Sequence, residues 1–239
     1  MDAQFVETQL AAESWEPEQL LRWSFDHFHP HLAIASGFGA EGMVLIDLAM
    51  RIRQDVKIFT LDTDFLFAET YILIGRVQER YGTTIELVRP ALSPEQQARD
   101  FGPALWKSNP DECCRLRKIE PLRKKLAGLR AWVTAIRRDQ TPTRAHARKL
   151  DWDQNFGLVK INPLADWSNA RVWSYIREHN LPYNPLHDRN YPSIGCTHCT
   201  RAVQPGEAPR AGRWAGFAKT ECGLHQPLSE GAPESASAD

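Results

Sequence analysis

Five cysteines fall in an uneven pattern along a chain of 239 residues. Cys113 and Cys114 are adjacent, Cys196 and Cys199 form a C-x-x-C pair, and Cys222 stands alone in the stretch KTECGLH, Lys219 to His225. Four grouped thiolates are a soft donor set that selects zinc or an iron–sulfur cluster. A four-cysteine zinc site usually draws on two C-x-x-C knuckles. Neighbouring cysteines have an awkward bite for one tetrahedral ion but can reach two irons of a cluster, and spacing alone leaves both metals open. Cys222 suggests other chemistry. Only a thiolate is a competent nucleophile. Lys219 and a protonated His225 would favour that form, and Glu221 would oppose it.

A second group of residues suits anions. ASGFGAEGMVL, Ala35 to Leu45, reads as a strand, a Ser/Gly turn and a helix start. The backbone N–H groups of such a turn, around Ser36, Gly37 and Gly39, form an anion cradle with the helix N-terminus. The stretch lacks the lysine-bearing ending of a Walker A loop and the G-x-G-x-x-G spacing of a dinucleotide fold, so an ordinary strand-to-helix turn is the competing reading. TLDTDFLF adds Asp62 and Thr63 at the end of the next strand. Lys118 follows Cys114 by four residues, on the same helical face. Arg137, Arg138, Arg144 and Arg148 follow another strand end, and Arg210 and Arg213 lie near the C-terminus. Together they offer guanidinium enough for bidentate binding of phosphate or sulfate.

The elements that must position these residues alternate. HLAIAS, VKIFTLD, TIELVRP and RAWVTAIR read as short apolar strands, and MVLIDLAMRI and AETYILIGRVQERYG as helices between them. WEPEQLLRWSFDHF reads as an amphipathic helix before the first strand. A further helix is expected after Ser93-Pro94. CCRLRKIEPLRKKLAG reads as a basic helix starting near Cys113, with a proline near its middle. GLVKINPLADW adds a strand, and SNARVWSYIREHN a helix with Ser168 as N-cap. The alternation predicts an α/β fold with a mostly parallel sheet, helices on both faces, and a ligand at the carboxyl ends of the strands. A single domain over 1–239 is expected, with 206–239 as a mobile C-terminal arm carrying Cys222 and 226–239 as a disordered tail.

With 42% hydrophobic residues the chain can bury a large core. A net charge of -1 gives no global attraction to nucleic acid or anionic membrane. No apolar run approaches the length of a membrane span, and the opening MDAQFVETQL lacks signal-peptide character, so a cytoplasmic location is expected. In a reducing compartment the cysteine grouping argues for metal or redox chemistry over disulfides.

SGFGAEGMVL, LDTD, CCRLRKIEPL, AIRRDQTPTRA, NPLADWS, LPYNPLHDRNYPSIGCTHCTR, GEAPRAGRW and KTECGLH, taken together, resemble the assimilatory adenylyl-sulfate (APS) reductases, relatives of the phosphoadenylyl-sulfate (PAPS) reductases. The resemblance runs from about His31 to His225. It implies an adenine nucleotide α-hydrolase-like (PP-loop type) fold and a [4Fe-4S] cluster on Cys113, Cys114, Cys196 and Cys199. It also implies that Cys222 attacks the sulfur of APS, that AMP leaves as an S-sulfocysteine forms, and that thioredoxin releases sulfite for cysteine biosynthesis. Lys118, Arg144, Arg210 and Arg213 match the family's anion-binding residues. Ser36, Gly37, Gly39 and Asp62 fall in its nucleotide region, and His225 closes the terminal motif. A homo-oligomer is implied as well. Gly42 stands where the family commonly has an acidic residue, and Asp64 where it commonly has glycine. Three other readings compete: a PAPS or dual-specificity reductase, a non-catalytic nucleotide-binding redox sensor, and a zinc-stabilised ATP pyrophosphatase-like ligase. PAPS reductases typically lack the cluster cysteines, and a sensor has no need of a fifth thiol.

Overall fold

The computed structural model describes residues 3–225; the tail read as disordered, 226–239, lies outside the described residues. Short apolar runs build the sheet: β1 (Leu32–Ala35), β2 (Lys57–Leu61), β3 (Ile85–Val88), β4 (Ala131–Val133), β5 (Leu150–Asp153) and β6 (Leu158–Ile161). Their order is β3-β2-β1-β4-β6-β5. Neighbours run parallel except β5, which pairs antiparallel with β6 at the edge. The helices are α1 (Ala3–Ala12), α2 (Pro17–Phe28), α3 (Ala40–Ile52), α4 (Ala68–Tyr81), α5 (Pro94–Phe101), α6 (Leu105–Ser108), α7 (Pro110–Cys114), α8 (Glu120–Leu126) and α9 (Asn169–Glu178).

Burial on both faces explains why the central strands are continuously apolar. Leu32, Ile34, Ile58 and Val133 point to one side, where α2, α3, α4 and α9 supply Phe25, Leu45, Leu73 and Val172. Ala33, Phe59, Trp132 and Leu158 point to the other, against Leu122 and Leu126 of α8. Gly82 ends α4 in the left-handed region, at φ 59°. Ser93 starts α5 with a reciprocal capping box to Gln96. The Ser168 side chain accepts the Arg171 N–H at 3.1 Å and starts α9.

Three elements depart from the sequence reading. First, α1 was not expected, because its sequence shows no clear apolar stripe. A polar bridge pins it: buried Gln9 donates to Asp151 of β5 at 3.0 Å and accepts from Arg148 at 2.6 Å. Second, β5 was not expected, because LDWD carries alternating charge. It forms through a hairpin whose turn places Gly157 at φ 68° and is held by Asp153. Third, the cysteine-bearing helix begins at Pro110 rather than near Cys113, with the Asn109 side chain accepting the Glu112 N–H at 3.0 Å. A π turn, Arg115–Ile119, joins α7 to α8. Pro121 has no N–H to give the Arg117 carbonyl, so the ladder loosens here, and the Glu120 N–H bonds to the Arg115 carbonyl, five residues back. The wide turn lets two successive cations, Arg117 and Lys118, both face inward.

Candidate active site

β1 and β2 progress to one side of the sheet and β4 to the other, so the chain switches direction between β1 and β4. A cavity of about 650 Å³ opens at the carboxyl ends of these strands, where the switch leaves a crevice. Ser36, Gly37 and Gly39 line it from the turn after β1, as the sequence suggested. The Phe38 N–H donates to Ser36 Oγ at 3.2 Å. A Cβ on residue 42 would lie 2.5 Å from Ser36 Oγ, so glycine at this position lets α3 approach the turn closely. Thr63 also lines the cavity; Asp62 does not. Its carboxylate is spent on the Tyr71 hydroxyl at 2.6 Å, Arg89 Nε at 3.1 Å and the Asp64 N–H at 3.1 Å. Asp62 therefore staples the turn from behind.

Lys118, Arg144, Arg210 and Arg213, drawn from three separate stretches, meet on one wall of the cavity. Arg213 lies flat against the backbone at Gly195, where a Cβ would fall 2.3 Å from its Nη2. It donates to Ser193 Oγ at 3.1 Å and the Ile194 carbonyl at 3.3 Å, and stacks over Trp214 at 4.5 Å. Arg210 donates to the same Ser193 Oγ at 3.3 Å and to the Thr220 carbonyl at 2.9 Å. Arg144 holds the Glu221 carboxylate from Nε at 2.9 Å and Nη2 at 2.8 Å. Arg210 Nε, Arg213 Nε and His225 Nδ1 are buried and find no partner among the described residues. Burial opposes the Lys118 ammonium, but the negative charge that Cys196, Cys222 and Cys114 carry when ionised raises its pKa above the ordinary value. Arg137 also lines the cavity, but Glu41 and Asp139 already pair with it.

The cysteines separate into two roles by position. Cys113, Cys114, Cys196 and Cys199 face a small space enclosed by Phe65, Trp106, Arg117, Lys118 and His198. None is in a disulfide. Burial pushes the Cys113 thiol up to about 11 and the Cys199 thiol up to about 12, with neighbouring cysteines adding to both. Among the described residues no three His, Cys, Asp or Glu side chains converge as around a single metal ion. Arg117 reaches in from the π turn, donating to Gln97, the Thr63 carbonyl and Asp64, while its buried Nη2 has no partner among the described residues. Cys222 instead lines the large cavity beside Lys118. Gly223, at φ 83°, turns the chain tightly against Ile119, and the His225 ring stacks on Trp132 at 5.8 Å.

Two expectations change here. Burial, together with the positive charges of Lys160, Arg144 and Arg210, holds His225 well below the usual histidine range. Its imidazole is neutral at pH 7 and does not supply the positive charge expected beside Cys222. Lys219 pairs with Asp111. Glu221, read from sequence only as unfavourable to a thiolate, instead pairs with the arginine wall. Ser193 and Gly195 carry no signal in their spacing; only the fold reveals that they seat Arg210 and Arg213.

Gly195→Ala should force Arg213 aside and weaken inorganic phosphate binding about tenfold, the cost of one charge-assisted contact. Calorimetric titration checks this, with the thermal midpoint nearly unchanged because the displaced group is the end of a flexible side chain. A second outcome concerns pH. The docked state resists a proton that a free imidazole accepts, so docking is at full strength above pH ~6.5 and weakens as pH falls below it. Amide exchange at residues 221–225, corrected for its intrinsic pH dependence, should therefore accelerate on acidification, and His225→Phe should flatten that response.

The comparisons agree with this architecture. Residues 31–202 match the family model described as the phosphoadenosine phosphosulfate reductase domain. The match ends before Arg210, Arg213 and Cys222. An adenosine 5'-phosphosulfate reductase from Shouchella clausii is 53% identical over 209 residues, covering 87% of this chain and 87% of its own. Adenosine 5'-phosphosulfate reductase 2 from Bacillus subtilis is 52% identical over 208 residues, covering 87% and 88%. Among solved structures, the phosphoadenylyl-sulfate reductase of Candida auris, in a phosphate complex, is 32% identical with a TM-score of 0.74, covering 85% of this chain and 98% of that one. The FMN adenylyltransferase of Candida glabrata, 18% identical with a TM-score of 0.56 and covering 81% and 63%, shares the PP-loop type fold alone. The matched domain, the relatives over most of the chain and the shared fold together establish that this chain belongs to the phosphoadenosine phosphosulfate reductase domain family.

Proposed function

We propose that this chain reduces adenylyl sulfate (APS) to sulfite and AMP in sulfate assimilation, with Cys222 as nucleophile and thioredoxin as the electron donor. One observation carries the reading: Lys118, Arg144, Arg210 and Arg213 line the cavity that Cys222 lines, and Arg213 has no carboxylate partner among the described residues. Guanidinium does not give up its proton, so such groups call for an anion. The names of relatives about half identical over most of the chain favour APS over PAPS.

The Cys222 thiolate donates an electron pair to the sulfur of APS. The bond from sulfur to the phosphate oxygen breaks, and its pair leaves with AMP. An S-sulfocysteine forms. Thiolate and sulfo group are both anionic, and the preplaced cations offset their repulsion. Arg144 and Arg210 stabilise the phosphate as it departs. A thioredoxin thiolate then attacks Cys222 Sγ, and sulfite leaves with the pair of the broken sulfur–sulfur bond. The second thioredoxin thiol resolves the mixed disulfide, which restores Cys222. Two electrons from the dithiol thus reduce the sulfur, and splitting the reduction into two steps lowers each barrier.

The four-cysteine space suits a [4Fe-4S] cluster. It offers four thiols and a buried Arg117 Nη2 with no acceptor among the described residues. A cluster on Cys113, Cys114, Cys196 and Cys199 would supply a covalent tie between two distant segments and a local charge near Lys118.

Purified protein given APS and reduced thioredoxin should release sulfite, at a higher kcat/KM than with PAPS. Cys222→Ser should still bind APS but show no sulfo adduct by mass spectrometry; an adduct on that variant would sink the assignment. Iron and labile sulfide should be present in equal amounts, about four of each per chain. Zinc in their place would overturn the cluster reading and leave the nucleophile's role intact.

A further inference from the structure

One carboxylate sits inside the cationic wall, on the residue next to the nucleophile. Glu221 is buried, with 2% of its side chain exposed. Its Oε1 accepts from Arg144 Nε at 2.9 Å and from Thr141 Oγ1 at 3.3 Å. Its Oε2 accepts from Arg144 Nη2 at 2.8 Å and from Arg210 Nη2 at 3.3 Å. The paired bonds from Arg144 are the fork that guanidinium presents to carboxylate, phosphate or sulfate alike. Arg144 Nη1 is committed to Gln140 Oε1 at 2.6 Å. In this state Arg144 has its fork closed, while Arg210 and Arg213 each keep a buried donor free.

The wall is thus half occupied by an anion belonging to the protein. We propose that Glu221 is a built-in occupant of the anion site: its carboxylate holds the Arg144 fork in the free enzyme, the substrate's phosphosulfate displaces it, and the exchange repositions the adjacent Cys222. This rests on reading the cavity as the nucleotide-sulfate site. The phosphosulfate carries more charge and more acceptor oxygens than a carboxylate, and it can also meet the Lys118, Arg210 and Arg213 side chains that line the cavity. Glu221 therefore holds the arginines in order while the site is empty and yields to a better-matched anion. Because Glu221 and Cys222 are neighbours in the chain, moving one carboxylate shifts the nucleophile's backbone. Anion arrival is thereby coupled to the seating of the thiol.

The sign of one substitution separates this role from a structural one. Removing a competitor tightens anion binding, whereas removing a structural partner loosens it. Glu221→Gln keeps the shape and removes the charge. Thr141→Val leaves the charge and both arginines but removes one donor to the carboxylate, so it tests the same idea if Glu221→Gln fails to fold. Full-length wild type and both variants are titrated calorimetrically with inorganic phosphate and with AMP. If the occupied state dominates by about ten to one, the phosphate Kd of Glu221→Gln should fall about tenfold, since a competent state populated one part in ten taxes affinity by that factor. Thr141→Val should tighten phosphate about twofold, the effect of one weak hydrogen bond. Phosphate binding that is unchanged or weaker in Glu221→Gln overturns the proposal; if that variant does not fold, unchanged binding in Thr141→Val does so. AMP distinguishes the two readings. AMP binding without any tightening in the variants defeats the Glu221 role and spares the nucleotide site. Tightened phosphate with no AMP binding to any form supports the exchange and defeats the nucleotide reading.

Discussion

Besides Arg137, four cations line one cavity, and a single buried carboxylate, Glu221, is shared between two of them. Other buried arginines are paired with carboxylates: Arg137 with Glu41 and Asp139, and Arg117 with Asp64. Those ion pairs hold the fold. The cavity wall does not close. A buried guanidinium keeps its charge, and each unpaired N–H there costs desolvation that no protein group repays. The fold must therefore hold these groups against their mutual repulsion, and much of the structure around the sheet's carboxyl edge can be understood as doing so.

The restraint is distributed through the cysteine segments. The Trp214 N–H bonds to the Cys199 carbonyl at 3.0 Å, and Thr200 bridges to Arg213, so the C-x-x-C turn and the arginine loop form a two-stranded unit. Gly212 makes that approach possible, since a Cβ there would fall 2.2 Å from the Arg201 carbonyl oxygen. The Thr197 N–H bonds to the Phe65 carbonyl at 2.8 Å and Leu66 bridges to Cys196, which joins the same unit to the turn after β2. Lys118 shares its helix with Cys114, displaced inward by the π turn. Any group that ties the four thiols together also ties Lys118 to Arg213. The cysteines and the cations are one mechanical body, although they lie up to a hundred residues apart in sequence.

The parts of this arrangement that were legible in the sequence are those written in local pattern. The parallel strands, α2, α3, α4 and α9 follow from apolar period and caps, because burial on the sheet's two faces imposes that period. The cysteine grouping and the basic residues were legible as types, and the fold brings Lys118, Arg144, Arg210, Arg213 and Cys222 to one wall. What escaped depends on tertiary partners. α1 and β5 are stabilised by each other's polar groups through Gln9, Asp151 and Arg148, so neither shows a hydrophobic signature. Asp62 looked like a cavity residue because it sits at a strand end, but Tyr71 and Arg89 claim its carboxylate from the far side. His225 looked like a cation from its place three residues after Cys222; stacked on Trp132 among Lys160, Arg144 and Arg210, it is held neutral.

The setting of Cys222 follows from two anchors of opposite character. On one side of Cys222, Glu221 is held by arginines. On the other, Leu224 and the neutral His225 rest on the apolar face that Trp132 and Leu122 share. Gly223, at φ 83°, provides the sharp turn between the anchor on α8's side and the thiol. A polar anchor can be exchanged by an anion, while an apolar anchor is indifferent to it. Releasing Glu221 alone therefore leaves the chain pinned at Leu224 and His225, and the motion available to Cys222 is a short swing about Gly223. A thiol on a fully loose arm would lose the proximity that makes attack fast, and one fixed on the sheet would be closed to a second protein's thiol. Under the proposed function, two independent anchors flanking a single residue would let the same cysteine meet both requirements in turn.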